Sequence, residues 1–164
     1  MKNMKIVKKL MKICLKNNLT IGTIESCTGG NIAHEITSLA GSSKYFKGSL
    51  VTYMPSVKSE VLKIPEDMIK IYTPESAIIA EAMSKNGKKI LDADYTVSIT
   101  GFVGPDIPIA PAGEKGCFVY IGITGSDKTD VNFYEFDGTN RLENIQIATK
   151  IALLQLVDFI EKNI

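Results

Sequence analysis

The sequence predicts an α/β fold: a three-layer α/β/α sandwich around a mixed five-stranded sheet. Three observations predict it. Strand-like apolar runs alternate with helical patterns up to Thr100, the order of a sheet with right-handed crossovers that put helices on both faces. Two further β-rich runs, Cys117–Thr124 and Asp130–Phe136, follow each other across the turn Gly125–Lys128 and read as an antiparallel hairpin. The chain has 164 residues, 45% of them hydrophobic, which is ample core material for one domain.

The elements follow in order. Met4, Val7, Leu10, Met11 and Cys14 fall on one face of an amphipathic helix that ends near Asn17-Asn18. Its lysines are interleaved with the apolar residues, so it is not read as a signal peptide. Leu19–Glu25 is strand one. Asn31–Ala40 is a short helix with Ile32, Ile36 and Leu39 inward, broken by Gly41-Ser42-Ser43. Gly48–Tyr53 is rich in β-formers and is strand two. Pro55 suits the first turn of a helix through Leu62 that carries Lys58. Pro65-Glu66-Asp67 opens a short piece, irregular or helical. Thr73 is the expected N-cap of a long helix with Pro74 at its first position and Ile78, Ala82 and Ile90 on its core side, although Asn86-Gly87 weakens its end. Tyr95–Thr100 is strand three, and Gly101–Lys115 is a loop long enough to be functional or mobile. A final helix runs from Arg141 to Ile164, with Ile147, Ile151, Leu154 and Val157 or Asp158 recurring at helical spacing.

Composition excludes several function classes. Lys+Arg is 19 and Asp+Glu is 18, a balance that argues against a general nucleic-acid binder. The three cysteines, Cys14, Cys27 and Cys117, form no close pair and read as reduced thiols of a cytoplasmic protein. One histidine, His34, makes a zinc site improbable, and no metal or other cofactor is expected. No stretch is long enough to span a membrane, so no membrane partner is expected. The expected partner is a small molecule. A homo-oligomer is compatible with the sequence.

The stretch with chemical character is Glu25-Ser26-Cys27-Thr28-Gly29-Gly30, between strand one and the helix that follows. It places hydroxyls and backbone N–H groups at the carboxyl end of a strand, where open α/β sheets bind ligands. Glycines allow close backbone approach, and the free N–H groups of the next helix favour an anion or a carbonyl oxygen. A plain βα connection is the competing reading of these residues alone. Ser26 and Thr100 end strands one and three, so both turns can line one cleft.

This segment resembles the signature of the CinA C-terminal domain family, whose characterised activity is nicotinamide-nucleotide amidase. The resemblance continues through Gly41-Ser-Ser43, Phe46, Val51-Thr-Tyr53 and Lys58, resumes at Ser98-Ile-Thr-Gly101, Gly104-Pro-Asp106 and Gly116, and ends at Phe136-x-Gly138 and Asn140-Arg141. It covers nearly the whole chain. It implies a single amidase-like domain over residues 1–164, without the larger N-terminal domain of some members. It implies the same three-layer sandwich and hydrolysis of the carboxamide of nicotinamide mononucleotide. Amide hydrolysis needs a nucleophile, a proton acceptor and a group that holds the oxyanion. Serine activated by lysine is one known solution, provided burial keeps the lysine partly neutral.

The resemblance carries over Ser26, Ser43, Tyr53 and Lys58 as catalytic residues. Thr28, Gly29, Gly30, Thr100, Gly101 and Arg141 follow as substrate-binding residues. The preferred roles are Ser43 as nucleophile, with Tyr53 and Lys58 relaying its proton. Ser26, Thr100 and backbone N–H groups would orient the amide, and Arg141 would bind the phosphate. Ser26 is the competing nucleophile, and the sequence does not choose between the two serines. Cys27 is read as a small buried residue. The loop Ile107–Cys117 departs from the family pattern, with a more apolar run and a cysteine where threonine is usual. The second arginine common after Arg141 is missing. The alternative reading is a non-catalytic nucleotide-binding or regulatory relative.

Overall fold

Parallel pairing builds one half of the sheet and antiparallel pairing the other. The computed structural model describes residues 3–104, 116–137 and 140–164. The elements are α1 (Met4–Asn17), β1 (Ile21–Glu25), α2 (Asn31–Thr37), a 3-10 turn (Ser42–Lys44), β2 (Phe46–Val51), α3 (Pro55–Leu62), α4 (Glu66–Tyr72), α5 (Ala77–Leu91), β3 (Tyr95–Phe102), β4 (Cys117–Thr124), β5 (Thr129–Phe136) and α6 (Arg141–Lys162). The sheet order is β2-β1-β3-β4-β5. β1 runs parallel to β2 and β3, while β4 is antiparallel to both β3 and β5. The mixed five-stranded α/β architecture is therefore present as read from the sequence. Among the described residues no helix is long and apolar enough to cross a membrane.

Two cores lie on opposite faces of the sheet. The larger joins α1, α2 and α6 through Val7, Leu10, Ile32, Ile36, Ala152 and Leu156 to Val97 and Ile99 of β3. The smaller joins α3, α4 and α5 through Leu62, Ile69, Ile79 and Met83 to Ile24 of β1. Val7, Leu10 and Cys14 bury the predicted face of α1.

The face of α5 departs from expectation. Ile78 and Ile90 are exposed, and the buried residues are Ile79, Ala80, Met83, Ser84 and Gly87. Small residues face the sheet because α5 lies against it at backbone distance. A Cβ on Gly122 of β4 would come 2.6 Å from the Ala80 carbonyl oxygen. One on Gly87 would run into the side chain of Ile24. Across this tight seam β3 presents hydroxyls instead of hydrocarbon. Thr96 Oγ1 donates to Ser84 O at 2.8 Å, Ser98 Oγ to Ala80 O at 2.6 Å, and Thr100 Oγ1 to Pro74 O at 2.9 Å.

The start of α5 also differs. Ser76, not Thr73, is its N-cap, accepting from Ile79 N, so Pro74 lies in the turn before the helix. In α6 the buried residues are Asn144, Ala148, Thr149, Ala152, Leu153, Leu156, Val157, Phe159 and Ile160, while Leu154 is exposed. β2 ends at Val51, which leaves Tyr53 beyond the strand. Much of the predicted 101–115 loop lies outside the described residues, and β3 continues through its first two positions, Gly101 and Phe102. Gly101, expected to bind substrate, serves this strand. A Cβ there would collide with the Phe118 carbonyl and sit 2.7 Å from Val119 Cα.

One side chain organises the turn after β1. Glu25 is fully buried. Its carboxyl oxygens accept from Thr28 Oγ1 at 2.7 Å, Gly30 N at 3.0 Å, Ile32 N at 3.1 Å and Ala33 N at 2.9 Å. Thr23 Oγ1 and Ser49 Oγ donate longer bonds of 3.3 and 3.4 Å. The orphan N–H groups that open a helix are thus satisfied by the protein's own carboxyl group. The turn closes this tightly because Gly29 and Gly30 adopt φ of 61° and 98°, values costly for other residues.

Two stability predictions follow from this packing. Glu25→Ala strands several buried donors at once and lowers the unfolding free energy by at least about 3 kcal/mol in a urea titration; a loss under about 1 kcal/mol would show the network to be dispensable. Gly87→Ala gains up to about 1 kcal/mol of helix propensity. It still destabilises by about 1–3 kcal/mol through overpacking on Ile24. Adding Ile24→Val should recover part of that loss, and no recovery would place the strain elsewhere.

Candidate active site

The turn from β1 into α2 presents Ser26 at the carboxyl end of the parallel strands. Its N–H donates to Ile99 O of β3 at 3.1 Å, which fixes the serine between the two strands. Opposite stands Lys58. Pro55 starts α3 at its first position, and one turn later Lys58 N bonds Met54 O. This directs the lysine inward, where it is 1% exposed, while Ser26 is 8% exposed. Lys58 Nζ lies 2.9 Å from Ser26 Oγ, 2.7 Å from Thr52 O and 3.3 Å from Tyr53 O.

An ammonium has three donors, and here three oxygens receive them. Loss of one proton leaves two N–H groups for the two carbonyls and a lone pair aimed at the serine hydroxyl. Burial pushes the Lys58 pKa below the ordinary lysine value, opposed chiefly by the charge of Glu75. The site is therefore built for a lysine that gives up its proton more readily than a solvated one. Cys27 beside it is buried, and desolvation raises its thiol pKa to about 12, so it stays a protonated, inert neighbour.

Tyr53 and Arg141 form the outer edge. Tyr53 is 53% exposed, and its hydroxyl accepts from Arg141 at 2.8 Å. Arg141 opens α6 just after the cap Asn140, whose Oδ1 accepts from Glu143 N. Its guanidinium also lies beside Gly104, where a Cβ would come within 3.6 Å. Tyr53 thus spans the site: its carbonyl touches Lys58 and its hydroxyl touches Arg141.

Contacts link Ser26 to Lys58, Lys58 to Tyr53 and Tyr53 to Arg141, and Thr100 follows Ile99, the residue that accepts from Ser26 N. The structure does not bring Ser43 to them. Ser43 is exposed in the 3-10 turn before β2, whereas Lys58 reaches the residues just past the end of that strand. A six-residue strand separates them, a span of roughly 17–20 Å. The Tyr53 hydroxyl is engaged with Arg141, so the expected proton relay through it has no counterpart in this geometry. Thr100 is fully buried and gives its hydroxyl proton to Pro74 O, which makes it part of the wall. Thr28 Oγ1 and Gly30 N are held by Glu25, and Gly29 N donates to Ser26 O, so these residues shape the turn instead of offering donors to a ligand. His34 is exposed on α2. Gly138 and residues 105–115 lie outside the described residues, and with them most of the loop whose sequence departs from the family pattern. Among the described residues no group of three or more His, Cys, Asp or Glu side chains could hold a metal ion.

Two acids escaped the sequence reading as contributors. Glu25 was legible only as part of a motif, although a carboxyl group closing an otherwise apolar strand calls for buried donors nearby. Glu75 looked like a first-turn helix residue. It instead sits half-buried before the α5 cap, and burial raises its pKa while Lys58 lowers it.

The CinA C-terminal domain family model matches residues 3–160. A CinA-like protein of Prochlorococcus marinus (strain MIT 9515) is 37% identical over 150 residues, covering 90% of this chain and 34% of that protein. A CinA-like protein of Endomicrobium trichonymphae is 37% identical over 147 residues, covering 88% of this chain and 33% of that one. The chain thus spans about a third of the length of these relatives. Among solved structures, a competence-damaged protein (CinA) superfamily protein from Escherichia coli superposes with a TM-score of 0.88 at 23% identity, covering 95% of this chain and 89% of the other. One from Klebsiella pneumoniae 700603 gives 0.90 at 19% identity, with 98% of each chain covered. These structures share the fold, and the match along residues 3–160 shows that the chain belongs to the CinA C-terminal domain family.

Proposed function

We propose that this domain is an amidohydrolase of the serine–lysine type that cleaves the carboxamide of nicotinamide mononucleotide, giving nicotinic acid mononucleotide and ammonia. The observation that carries the reading is the contact of 2.9 Å between two buried groups, Lys58 Nζ and Ser26 Oγ. A serine at the mouth of a βα turn, held within hydrogen-bond reach of a lysine of lowered pKa, is an activated nucleophile. The choice of a pyridine nucleotide rests on the family resemblance and on Arg141, whose planar guanidinium suits a phosphate.

The reaction runs in two halves. Neutral Lys58 takes the proton of Ser26 Oγ as the oxygen bonds to the carboxamide carbon. Lys58 returns that proton to the departing nitrogen, the C–N bond breaks, and ammonia leaves an ester on Ser26. A water then gives its proton to Lys58 and attacks the ester carbon. Collapse releases the carboxylic acid product and restores the serine, which takes the proton back. Ser26 is the nucleophile in this scheme and Ser43 has no part in it.

Ammonia release from nicotinamide mononucleotide by the purified protein tests the proposal. Ser26→Ala and Lys58→Arg should each lower turnover by at least about 10³-fold with the fold intact, since arginine cannot give up its proton. Ser43→Ala should keep activity within about threefold; full loss in that folded variant would return the nucleophile to Ser43. The base is an amine, so EDTA should leave the rate unchanged, and a loss restored by zinc would sink the scheme.

The pH dependence has a definite sign. Lys58 acts when neutral and its pKa is lowered in the fold, so kcat/KM should rise with pH along a limb centred below about 10.4, the ordinary lysine value. The same shift acts on stability. Below the folded pKa the buried ammonium carries its full desolvation cost, and stability rises with pH between the folded and unfolded values. A rate that falls with pH over this range would contradict a lysine base.

A further inference from the structure

A fully buried amide lies beside the outer end of the site, and the amidase scheme does not use it. Asn144 stands in the first turn of α6, where its N–H donates to Asn140 O at 3.0 Å. Its side-chain Nδ2 donates twice, to Val103 O at 3.0 Å and to Cys117 Sγ at 3.1 Å. Cys117 Sγ in turn donates to Gly104 O at 3.4 Å. Two consecutive carbonyls, where the chain leaves β3, are thus held by one amide. The first is held directly, and the second through a thiol that both accepts and donates. The acceptor end of the amide does nothing comparable: Asn144 Oδ1 is buried without a hydrogen-bond partner among the described residues. A buried polar atom left unpaired is costly, so what the amide contributes lies in its two donors.

Arg141 lies three residues earlier on α6, the spacing of neighbours on one helix face. A Cβ on Gly104 would stand 3.6 Å from its Nη1, and its Nη2 donates to the Tyr53 hydroxyl at 2.8 Å. The guanidinium therefore has two different sides. Tyr53 is a surface contact, whereas the Gly104 backbone is tied to the buried amide. A guanidinium carries five N–H donors, and among the described residues Tyr53 is its one hydrogen-bond partner and no carboxylate pairs with it. Resting on the proposal that Arg141 binds the phosphate, we infer that Asn144 is a positioning residue for that end of the site. It holds the Val103–Gly104 backbone, the second carbonyl by way of Cys117, as a fixed wall beside the guanidinium. The donors that Arg141 keeps free then meet a phosphate with less of the ordering cost that a long, mobile side chain imposes on binding. Asn144 touches no reacting atom in this role. It sets how strongly the site prefers a phosphorylated ligand over the same ligand without its phosphate.

The test compares a nucleotide with its nucleoside. A Ser26→Ala protein holds ligand without turning it over, so calorimetric titration with nicotinamide mononucleotide and with nicotinamide riboside reads binding alone. The nucleotide should bind more tightly. Adding Asn144→Leu, which keeps the size of the side chain and removes both donors, should weaken the nucleotide by about tenfold and leave the nucleoside within about twofold. Cys117→Ala cuts only the link to Gly104 and should give a smaller loss of the same kind. Cys117→Ser can still accept and donate, and should restore most of the preference. Equal losses for both ligands would make Asn144 a merely structural group and overturn the inference. A nucleotide-to-nucleoside ratio unmoved by Asn144→Leu would overturn it as well. Should Asn144→Leu fail to fold, Cys117→Ala decides by the same ratio. Failure of the amidase reading looks different: the ratio moves as expected, yet the unaltered protein releases no ammonia. Should neither ligand bind, both readings fall together.

Discussion

The buried carboxyl group of Glu25 is the constraint on which the site depends. It sits at the last position of β1 and collects donors from Thr28, Gly30, Ile32 and Ala33. A buried carboxyl group without such partners would cost several kcal/mol, so the turn and the first residues of α2 form around it or not at all. The helix N-terminus that a sequence reader would offer to a substrate anion is therefore already occupied. What this arrangement leaves for chemistry is Ser26, pinned between β1 and β3 by its own N–H and turned toward α3.

Lys58 is the second buried charge-bearing group, and the fold handles it differently. Glu25 has its donors supplied in number. Lys58 has two carbonyls, a hydroxyl and a desolvated setting. Two fixed acceptors satisfy an amine, while the third partner, Ser26 Oγ, can accept from an ammonium or donate to an amine. The hydroxyl is thus the only member of the set whose bond survives a change in protonation by reversing direction. Lys58 can lose and regain a proton without leaving an orphaned group in the core.

Much of this was legible in the chain. The strand–turn–helix reading of Leu19–Ala40 placed Ser26 correctly, and the five strands and the late hairpin needed no tertiary information. Lys58 was singled out only through a resemblance, because a lysine in an eight-residue helix looks solvated until the packing of α3 is known. The face of α5 was misread for a definable reason. Hydropathy points to Ile78 and Ile90, but the helix docks so closely that the small residues Ala80, Ser84 and Gly87 meet the strands, beside the buried Ile79 and Met83. The alternation Thr96-x-Ser98-x-Thr100 carried that signal, since hydroxyls facing a helix at backbone distance bond its carbonyls. Ser43 was favoured as a motif residue. Its distance from Lys58 follows from the direction of β2, which separates residues that the motif order seems to unite.

The two ends of the site rest on different kinds of support. The dyad end is built from groups that also hold the domain together: Glu25, Lys58 and Thr100 are fully or almost fully buried and bonded to α2, the β1–α2 turn and the turn before α5 respectively. A substitution there changes stability and chemistry together. The outer end is Tyr53 and Arg141, both exposed, joined by one hydrogen bond and anchored by the cap at Asn140. Exposed pairs of this kind contribute about 1 kcal/mol or less to folding, so the outer end can change with little cost to the fold. On the proposed reading, the serine–lysine chemistry thus depends on the core, whereas the Tyr53–Arg141 contact is one that the core does not constrain.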